Sequence, residues 1–570
     1  MSAMDVLRYQ KANCKDCYKC IRRCAVKAIA VRDHHTEVID EDCVLCGRCV
    51  LTCPQYANQA RWDIQPVRRL LQSERPVYAM VAPSFSFQYG PDAFGPLRCQ
   101  LMALGFTDAF ESAEGACLVK NQYQNLVAKR WGDVILTSCC PSVVLLVERH
   151  FPSLTPLLAP VLSPMQAEAK LLRRRFGPEA AVVYIGSCIA AKNECDQTPG
   201  LTDYALTYDE LNALFVSNKL PVDLHGAICA PEPRRRSRSF PLPGGVIGCM
   251  DQDPEYSYLA VDGLENCIAA LNEIKTGRLH NCFIELRSCT GSCAGGPKMS
   301  ADARNRLEGR VRIANTANGG EDFESQPTLR LDRTFHPRSR AEAKLPTEQE
   351  IDEILRRLGK NSPADQLNCG TCGYPTCRDK AVAIYQGKAD VTMCLPYMKK
   401  RAESLSDKII SNSPTAILAV DSALRVRMAN RALRNILGIQ EDVSLSGLLV
   451  SELMDDFEFI TAFSAPAGTK VRKAYLEQYD KYVEQIFAVD ESSNMAICMM
   501  KDITAEEKAR RSRHKTRQEA VDIADQIIAK QLRIVHEIAS LLGETAAETK
   551  VALTRLKSTV AMDEGEEDRP

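Results

Sequence analysis

The chain carries little that would commit it to a membrane or to nucleic acid. No apolar run approaches the ~18 residues that a helix needs to cross a bilayer. Its 72 basic and 73 acidic residues almost cancel, so no global field steers it toward polyanions. The first residues, Met-Ser-Ala-Met-Asp-Val, show neither a charged nor an apolar export region, and the expectation is a cytoplasmic protein. At 570 residues the chain is too long for one domain, and about 150 residues per domain gives roughly four.

Cysteine, by contrast, is abundant, with 25 residues. A reducing compartment argues against disulfides, and most of the cysteines fall into arrays with metal spacing. The first is Cys14-x₂-Cys17-x₂-Cys20-x₃-Cys24 and the second Cys43-x₂-Cys46-x₂-Cys49-x₃-Cys53-Pro54. This is the doubled spacing of a bacterial two-cluster ferredoxin, in which the fourth cysteine of each run serves the other cluster. One [4Fe–4S] cluster is then expected on Cys14, Cys17, Cys20 and Cys53, the other on Cys43, Cys46, Cys49 and Cys24. Ala25 replaces the usual proline after the first run. Zinc is the minor alternative. Isolated Cys99, Cys117, Cys195, Cys229, Cys249, Cys267, Cys282 and Cys498 read as small buried residues.

From Val77 the texture changes. Val77–Ser84, Val134–Thr137 and Ala181–Gly186 are apolar runs that end in polar loops, with helical stretches such as Met165–Arg175 between them. Strands alternating with helices predict an α/β domain with parallel sheet, whose ligands gather at the carboxyl ends of strands. Three such ends carry Thr137-Ser-Cys-Cys-Pro141, Gly186-Ser-Cys188 and Ser288-Cys-Thr-Gly-Ser-Cys293.

In this order and at these separations the segments resemble the [FeFe]-hydrogenase H-cluster domain. The resemblance implies that Cys140, Cys188, Cys289 and Cys293 hold a [4Fe–4S] cluster, with Cys293 bridging to a diiron subsite that carries CO, cyanide and azadithiolate. Cys139 is then the proton carrier at the open iron, and Glu194 a second relay group. Ala82, Pro83 and Ser84, Ser163 and Pro164, and Gly244 and Gly245 match the family's cofactor loops, and Glu285 precedes the last cysteine pair as in the family. The implied substrates are H₂ and protons, and the implied partner is an electron carrier such as ferredoxin in an anaerobic prokaryote.

Departures from the family are as informative. Where the family reads Met-Pro-Cys-x-x-Lys-x-x-Glu, this chain has Gly186-Ser-Cys-Ile-Ala-Ala-Lys-Asn-Glu194. Ala191 takes the place of the cyanide-pairing lysine, and Lys192, one step along, is the candidate replacement. Arg287 stands where a methionine is usual. Leu118–Trp131 holds no carboxylate; Val119 and Gln122 fall at the relay glutamate positions, and Ala159 replaces a relay serine. A proton carrier must lie within hydrogen-bond reach of its partner, directly or through one water. Slow turnover or another route is therefore expected.

Cys369-x₂-Cys372-x₄-Cys377 and Cys394 resemble a small four-cysteine [4Fe–4S] module, with structural zinc as the alternative. Asn412–Asp421 with Val426–Ala432, and Ala496–Thr504, resemble the entry and exit of a PAS domain that has no histidine and names no ligand. Beyond Thr504, Val521, Ala524, Ile528, Val535, Ile538 and Leu542 form a short coiled-coil seam, broken or kinked at Gly543. His536 reads as a surface histidine, the basic Pro231–Arg238 stretch as a solvated loop, and 315–346 as a domain end and linker. The predicted class is multidomain α+β and α/β. Its parts are a ferredoxin-like 2[4Fe–4S] domain (1–62), an H-cluster domain (75–335), the four-cysteine module (347–402), a PAS domain (405–504), a signalling helix (505–558) and an acidic tail (559–570).

The PAS domain, the helix exit and the broken relay favour a sensory hydrogenase that relays H₂ or redox state to a separately encoded kinase or phosphatase, as a homodimer through its C-terminal helix. A catalytic hydrogenase exchanging electrons with ferredoxin is the second reading. A non-enzymatic hydrogenase-like iron–sulfur protein is the third.

Overall fold

A computed structural model gives the architecture. It describes residues 6–562 except 33–34, 223, 225–232, 305–306, 318–319, 324–327, 339–344, 441, 465–469, 491–492 and 543–545. The chain divides into two compact units, Met1–Met398 and Lys399–Pro570.

In the first unit, β1 (Leu7–Tyr9), β2 (Ile29–Arg32), β3 (His35–Val38) and β4 (Asn58–Ala60) form two antiparallel pairs, β1 with β4 and β2 with β3. Each cysteine array runs into a five-residue helix, Lys19–Arg23 or Arg48–Thr52, entered through a left-handed residue, Tyr18 or Gly47. Tyrosine tolerates this conformation at position 18, but position 47 needs glycine for a second reason. A Cβ there would lie 2.6 Å from Pro297 Cβ and 2.8 Å from Ile189 Cδ1, side chains of the neighbouring domain. Gly47→Ala is expected to cost about 1–3 kcal/mol through backbone strain and this clash. Thermal unfolding of the cluster-loaded chain checks it.

The next seven strands are β5 (Val77–Val81), β6 (Asp108–Glu111), β7 (Val134–Leu136), β8 (Ala181–Gly186), β9 (Tyr204–Thr207), β10 (Ser257–Asp262) and β11 (Cys282–Arg287). They form two all-parallel sheets, ordered β6-β5-β8-β9 and β10-β11-β7. Parallel sheet is as expected, but it is divided. Every residue of β5, β7 and β11 is buried, as parallel strands covered on both faces require. Crossover helices include Ala113–Ala128, Pro141–His150, Pro164–Phe176 and Ala190–Gln197.

The stretch expected to be a linker is partly structural. Leu329 and Leu331 are buried, Leu162 N donates to Leu331 O at 2.8 Å, and Arg333 N to Pro160 O at 3.1 Å. Two apolar residues on alternate positions suffice to seat this strap, and its polar majority hid them. The basic loop is not simply solvated either. Arg238 is buried and paired with Glu111, and Arg235 lies over the Phe323 ring at 4.6 Å; residues 231 and 232 lie outside the described residues. Among the isolated cysteines, Cys117, Cys195, Cys249, Cys267, Cys282 and Cys498 are buried as expected, while Cys99 is exposed. Cys229 lies outside the described residues.

The four-cysteine module packs on the ferredoxin-like segment. Val31 N donates to Lys388 O at 3.0 Å, Lys27 Nζ to Gly373 O at 2.7 Å, and Lys388 pairs with Asp42 at 2.6 Å. Cys20, Ile21, Ile29 and Val31 share an apolar cluster with Tyr374, Ala383 and Met393. Capping boxes at Thr347 and Thr376 start the module's helices Glu348–Arg357 and Cys377–Tyr385.

The second unit holds β12 (Ala416–Asp421), β13 (Val426–Ala429), β14 (Lys470–Leu476), β15 (Lys481–Asp490) and β16 (Met495–Asp502), one antiparallel sheet ordered β13-β12-β16-β15-β14. Its core is filled by Leu418, Val420, Phe459, Phe487, Cys498 and their neighbours. Asn430 ties the unit together: its Oδ1 accepts from Ile417 N and Leu433 N, and its Nδ2 donates to Ile410 O and Thr415 O. Helix Thr504–Leu542 follows, then helix Ala546–Met562. Lys557 pairs with Asp525 at 3.1 Å, so the second helix doubles back along the first. Val521, Ile528, Leu532 and Val535 are half-buried on the Asp525 face, whereas Ile523, Ile527, Ile534 and Ile538 form an exposed stripe. The single seam of the sequence is thus two apolar stripes, and Ile538 belongs to the outer one. His536 is exposed. Gly543 and residues 563–570 lie outside the described residues. No helix among the described residues is long and apolar enough to cross a membrane.

Candidate functional site

The carboxyl ends of β5, β7, β8 and β11 converge on one cavity. Ala82, Pro83 and Ser84 come from β5, Cys139 and Cys140 from β7, Ser187 and Cys188 from β8, and Arg287, Cys289 and Cys293 from β11 and its loop. Ser163, Pro164, Ala191 and Glu194 complete the wall. The four cysteines drawn from three distant segments therefore meet, with Cys139 beside them. Burial pushes the Cys139 thiol up to about 12, opposed by the nearby Arg287, so it holds its proton at neutral pH. Burial also raises the Cys188, Cys289 and Cys293 thiols. A binding group that keeps such sulfurs as thiolates must displace their protons.

Glu194 faces the cavity and accepts from Ser163 Oγ at 2.9 Å. Its other oxygen pairs with Arg333, a residue that sequence reasoning missed because it lies in the strap taken for linker. Arg333, Glu148, Asp196 and His336 line an open polar basin. Glu194 is thus both a cavity carboxylate and a salt-bridge partner.

Three expected cofactor contacts are not brought to the cavity. Lys192 is fully buried, but its Nζ contacts Asp63 at 3.0 Å, Glu210 at 2.8 Å and Ala205 O at 2.7 Å. Consecutive residues of a helix point ~100° apart; Ala191 faces the cavity, so Lys192 on the same helix turns away. Gly244 and Gly245 do not line the cavity. A Cβ on Gly245 would lie 2.0 Å from Ser239 O, so this glycine allows the tight turn that follows Phe240 and Pro241, which do line it. The position expected to lack methionine is explained as well: a Cβ on Gly186 would lie 2.8 Å from the Tyr184 hydroxyl, and Tyr184 forms that wall.

Two of the three relay positions are apolar, and the third, Gln122, is a half-buried amide. Val119 and Ala159 are fully buried in the same cluster as Cys139. No carboxylate on the helix Ala113–Ala128 follows Glu114, and neither Val119 nor Ala159 can carry a proton.

The cysteines of the two ferredoxin-like arrays lie close enough to act on one another, Cys20 on Cys49 included. The sulfurs whose charge acts on Cys20 are those of Cys17, Cys53 and Cys14, and those acting on Cys43 belong to Cys46 and Cys24. Burial raises Cys20 to about 11 and Cys43 to about 12. The second set shares an apolar cluster with Cys140 and Cys188, so it is the set next to the cavity. In the module, Cys369, Cys372, Cys377 and Cys394 line one small pocket with Lys360 and Lys380. Among the described residues no group of three or more Cys, His, Asp or Glu is arranged to hold a single metal ion.

Comparison with known proteins agrees with this geometry. Residues 75–253 and 249–297 match the family described as "Iron only hydrogenase large subunit, C-terminal domain", and residues 365–396 match an Fe–S cluster family. The NADP-reducing hydrogenase subunit HndD of Solidesulfovibrio fructosivorans is 26% identical over 196 residues, 30% of this chain and 33% of that protein. A component of an ion-translocating oxidoreductase complex from Methanosarcina acetivorans is 39% identical over 57 residues, 10% of this chain and 22% of that protein. The chain therefore spans a third or less of the length of these relatives. Among solved structures, a variant of the [FeFe]-hydrogenase HydA1 from Chlamydomonas reinhardtii aligns at 16% identity over 48% of this chain and 91% of that one, with a TM-score of 0.37. A PAS domain from Haloarcula marismortui aligns at 19% identity over 18% of this chain and 99% of that one, with a TM-score of 0.16. The chain thus carries an iron-only hydrogenase H-cluster domain and an Fe–S motif within a mixed α/β fold, and is a hydrogenase-like iron–sulfur protein.

Proposed function

We propose that the protein is a sensory [FeFe]-hydrogenase that binds or slowly turns over H₂ and relays redox state to a separate effector, a kinase or phosphatase. The observation that carries this reading is the single cavity in which Cys140, Cys188, Cys289 and Cys293 meet beside Cys139 and Glu194. When bound, a [4Fe–4S] cluster with a diiron unit bearing CO, cyanide and azadithiolate supplies heterolytic H₂ cleavage. Cys140, Cys188, Cys289 and Cys293 would hold that group, and the loops Ala82–Ser84 and Ser163–Pro164 shape its pocket. Cys139 holds the mobile proton as a thiol. Glu194, hydrogen-bonded to Ser163, is the one carboxylate in the cavity wall among the described residues and replaces the family's route with one toward the Arg333 basin.

Cys43, Cys46, Cys49 and Cys24, whose set adjoins the cavity, would hold the first electron-transfer cluster, and Cys14, Cys17, Cys20 and Cys53 or the module's Cys369, Cys372, Cys377 and Cys394 would hold the next. The packing of the module on the ferredoxin-like segment supports this order. A ferredoxin-type carrier exchanges electrons with the exposed end.

The regulatory half of the reading rests on the second unit: residues 405–504 as a PAS domain and 505–558 as the signal exit. The antiparallel sheet and the run from β16 straight into a long helix support it. The exposed Ile523, Ile527, Ile534 and Ile538 stripe supports a homodimer through that helix, since exposed isoleucines at three- to four-residue multiples favour a helical partner. A cytoplasmic setting in an anaerobic prokaryote completes the reading. H₂ oxidation by the matured protein with a dye acceptor tests it. A low rate with an H₂-dependent change in cluster spectra supports a sensor, whereas rates rivalling bulk hydrogenases favour the catalytic alternative.

A further inference from the structure

Among the described residues, Arg287 is the only cation in the cavity wall. Its side chain is almost wholly buried, 5% exposed, yet it is not spent on a single ion pair. Nη1 donates to Cys293 Sγ at 3.7 Å, Nη2 to Phe240 O at 3.3 Å, and Nε to Glu285 Oε1 at 3.3 Å. Glu285 is itself fixed, since its Oε2 accepts from Val246 N at 3.0 Å and Ile247 N at 3.2 Å. The carboxylate thus orients one edge of the guanidinium and leaves the other edge facing sulfur. Guanidinium stays protonated in proteins, so this is a permanent charge in a site of low dielectric, where its field is strong.

We infer that Arg287 is a positioning residue that holds a fixed positive charge against the Cys293 sulfur, so that the iron–sulfur group ligated there accepts an electron more readily. This rests on the reading of the four cysteines as cluster ligands. The step is a plain one-electron reduction by an external low-potential reductant: one electron enters the cluster, no bond breaks and no proton moves. Added negative charge on the cluster and its sulfurs is stabilised by the guanidinium, and Glu285 partly offsets that effect.

Potentiometry on the full chain, reconstituted anaerobically with iron and sulfide and read by electron paramagnetic resonance, tests this without the diiron unit. Of the several cluster transitions, one is expected to move down in Arg287→Met by at least tenfold in its reduction equilibrium, about 59 mV for a one-electron couple. The same transition stays near its original value in Arg287→Lys and moves up in Glu285→Gln. Opposite signs for the two neutralising changes cannot come from loosened packing alone. No shift in Arg287→Met, or shifts of the same sign in all three variants, would overturn the inference. If neither Arg287 variant assembles its cluster, Glu285→Gln decides, and the absence of an upward shift counts against it. Absent CO and cyanide bands in matured protein would instead sink the diiron reading while leaving these shifts intact.

Discussion

Cys139→Ala is expected to lower H₂ oxidation by about 10²–10⁴-fold, the contribution of a positioned acid–base group, while the cluster content stays unchanged. Cys139 is buried, keeps its proton at neutral pH and lines the cavity beside Cys140. The family's relay groups are replaced, because Val119 and Ala159 are apolar and buried in the cluster that holds Cys139. Alanine removes the thiol and leaves a small gap in a cluster that already holds alanines, so folding is not at stake. Activity with a dye acceptor, beside iron and sulfide analysis, separates the two quantities. A variant that keeps more than half its rate would remove Cys139 from the proton route.

Lys192→Met is expected to have the largest effect on stability, about 3–5 kcal/mol, the cost of leaving buried partners without their counter-charge. Lys192 lies between Asp63 and Glu210, and Arg61 extends the network to Asp63 and Asp196. Asp63 directly follows the ferredoxin-like segment and starts the helix Ile64–Leu71, whereas Glu210 and Asp196 belong to the domain that bears the cavity, so one lysine ties the segment's exit to that domain. The loss should show as a lower denaturation midpoint and earlier proteolysis near residue 63. If Lys192 instead served the cofactor, the substitution would spare stability and damage the site's spectra.

The meeting of Cys139, Cys140, Cys188, Cys289 and Cys293 was readable because an apolar run ending in a cysteine loop marks a strand end. What stayed hidden depended on direction and distance. Ala191 and Lys192 are adjacent in sequence, but the helix sends one to the cavity and the other to Asp63, and no pattern of residue types says which. Arg333 reaches Glu194 from a strap whose polar composition reads as linker, held by Leu329, Leu331 and backbone bonds. The docking of Gly373 and Lys388 on the ferredoxin-like segment joins residues far apart in the chain, Lys27 with Gly373 and Val31 with Lys388, beyond any local signal. The C-terminal stripe was legible as apolar periodicity, but the return of Ala546–Met562 divided it between an inner and an outer face.

If the protein is a hydrogenase, the cysteine-ringed cavity must hold a diiron unit. The most direct test is infrared spectroscopy of the full chain purified anaerobically with the family's maturation machinery. Bands from bound CO and cyanide are expected that change when H₂ is admitted and are lost in Cys293→Ala. A protein carrying its full complement of iron and sulfide but showing no such bands would contradict it.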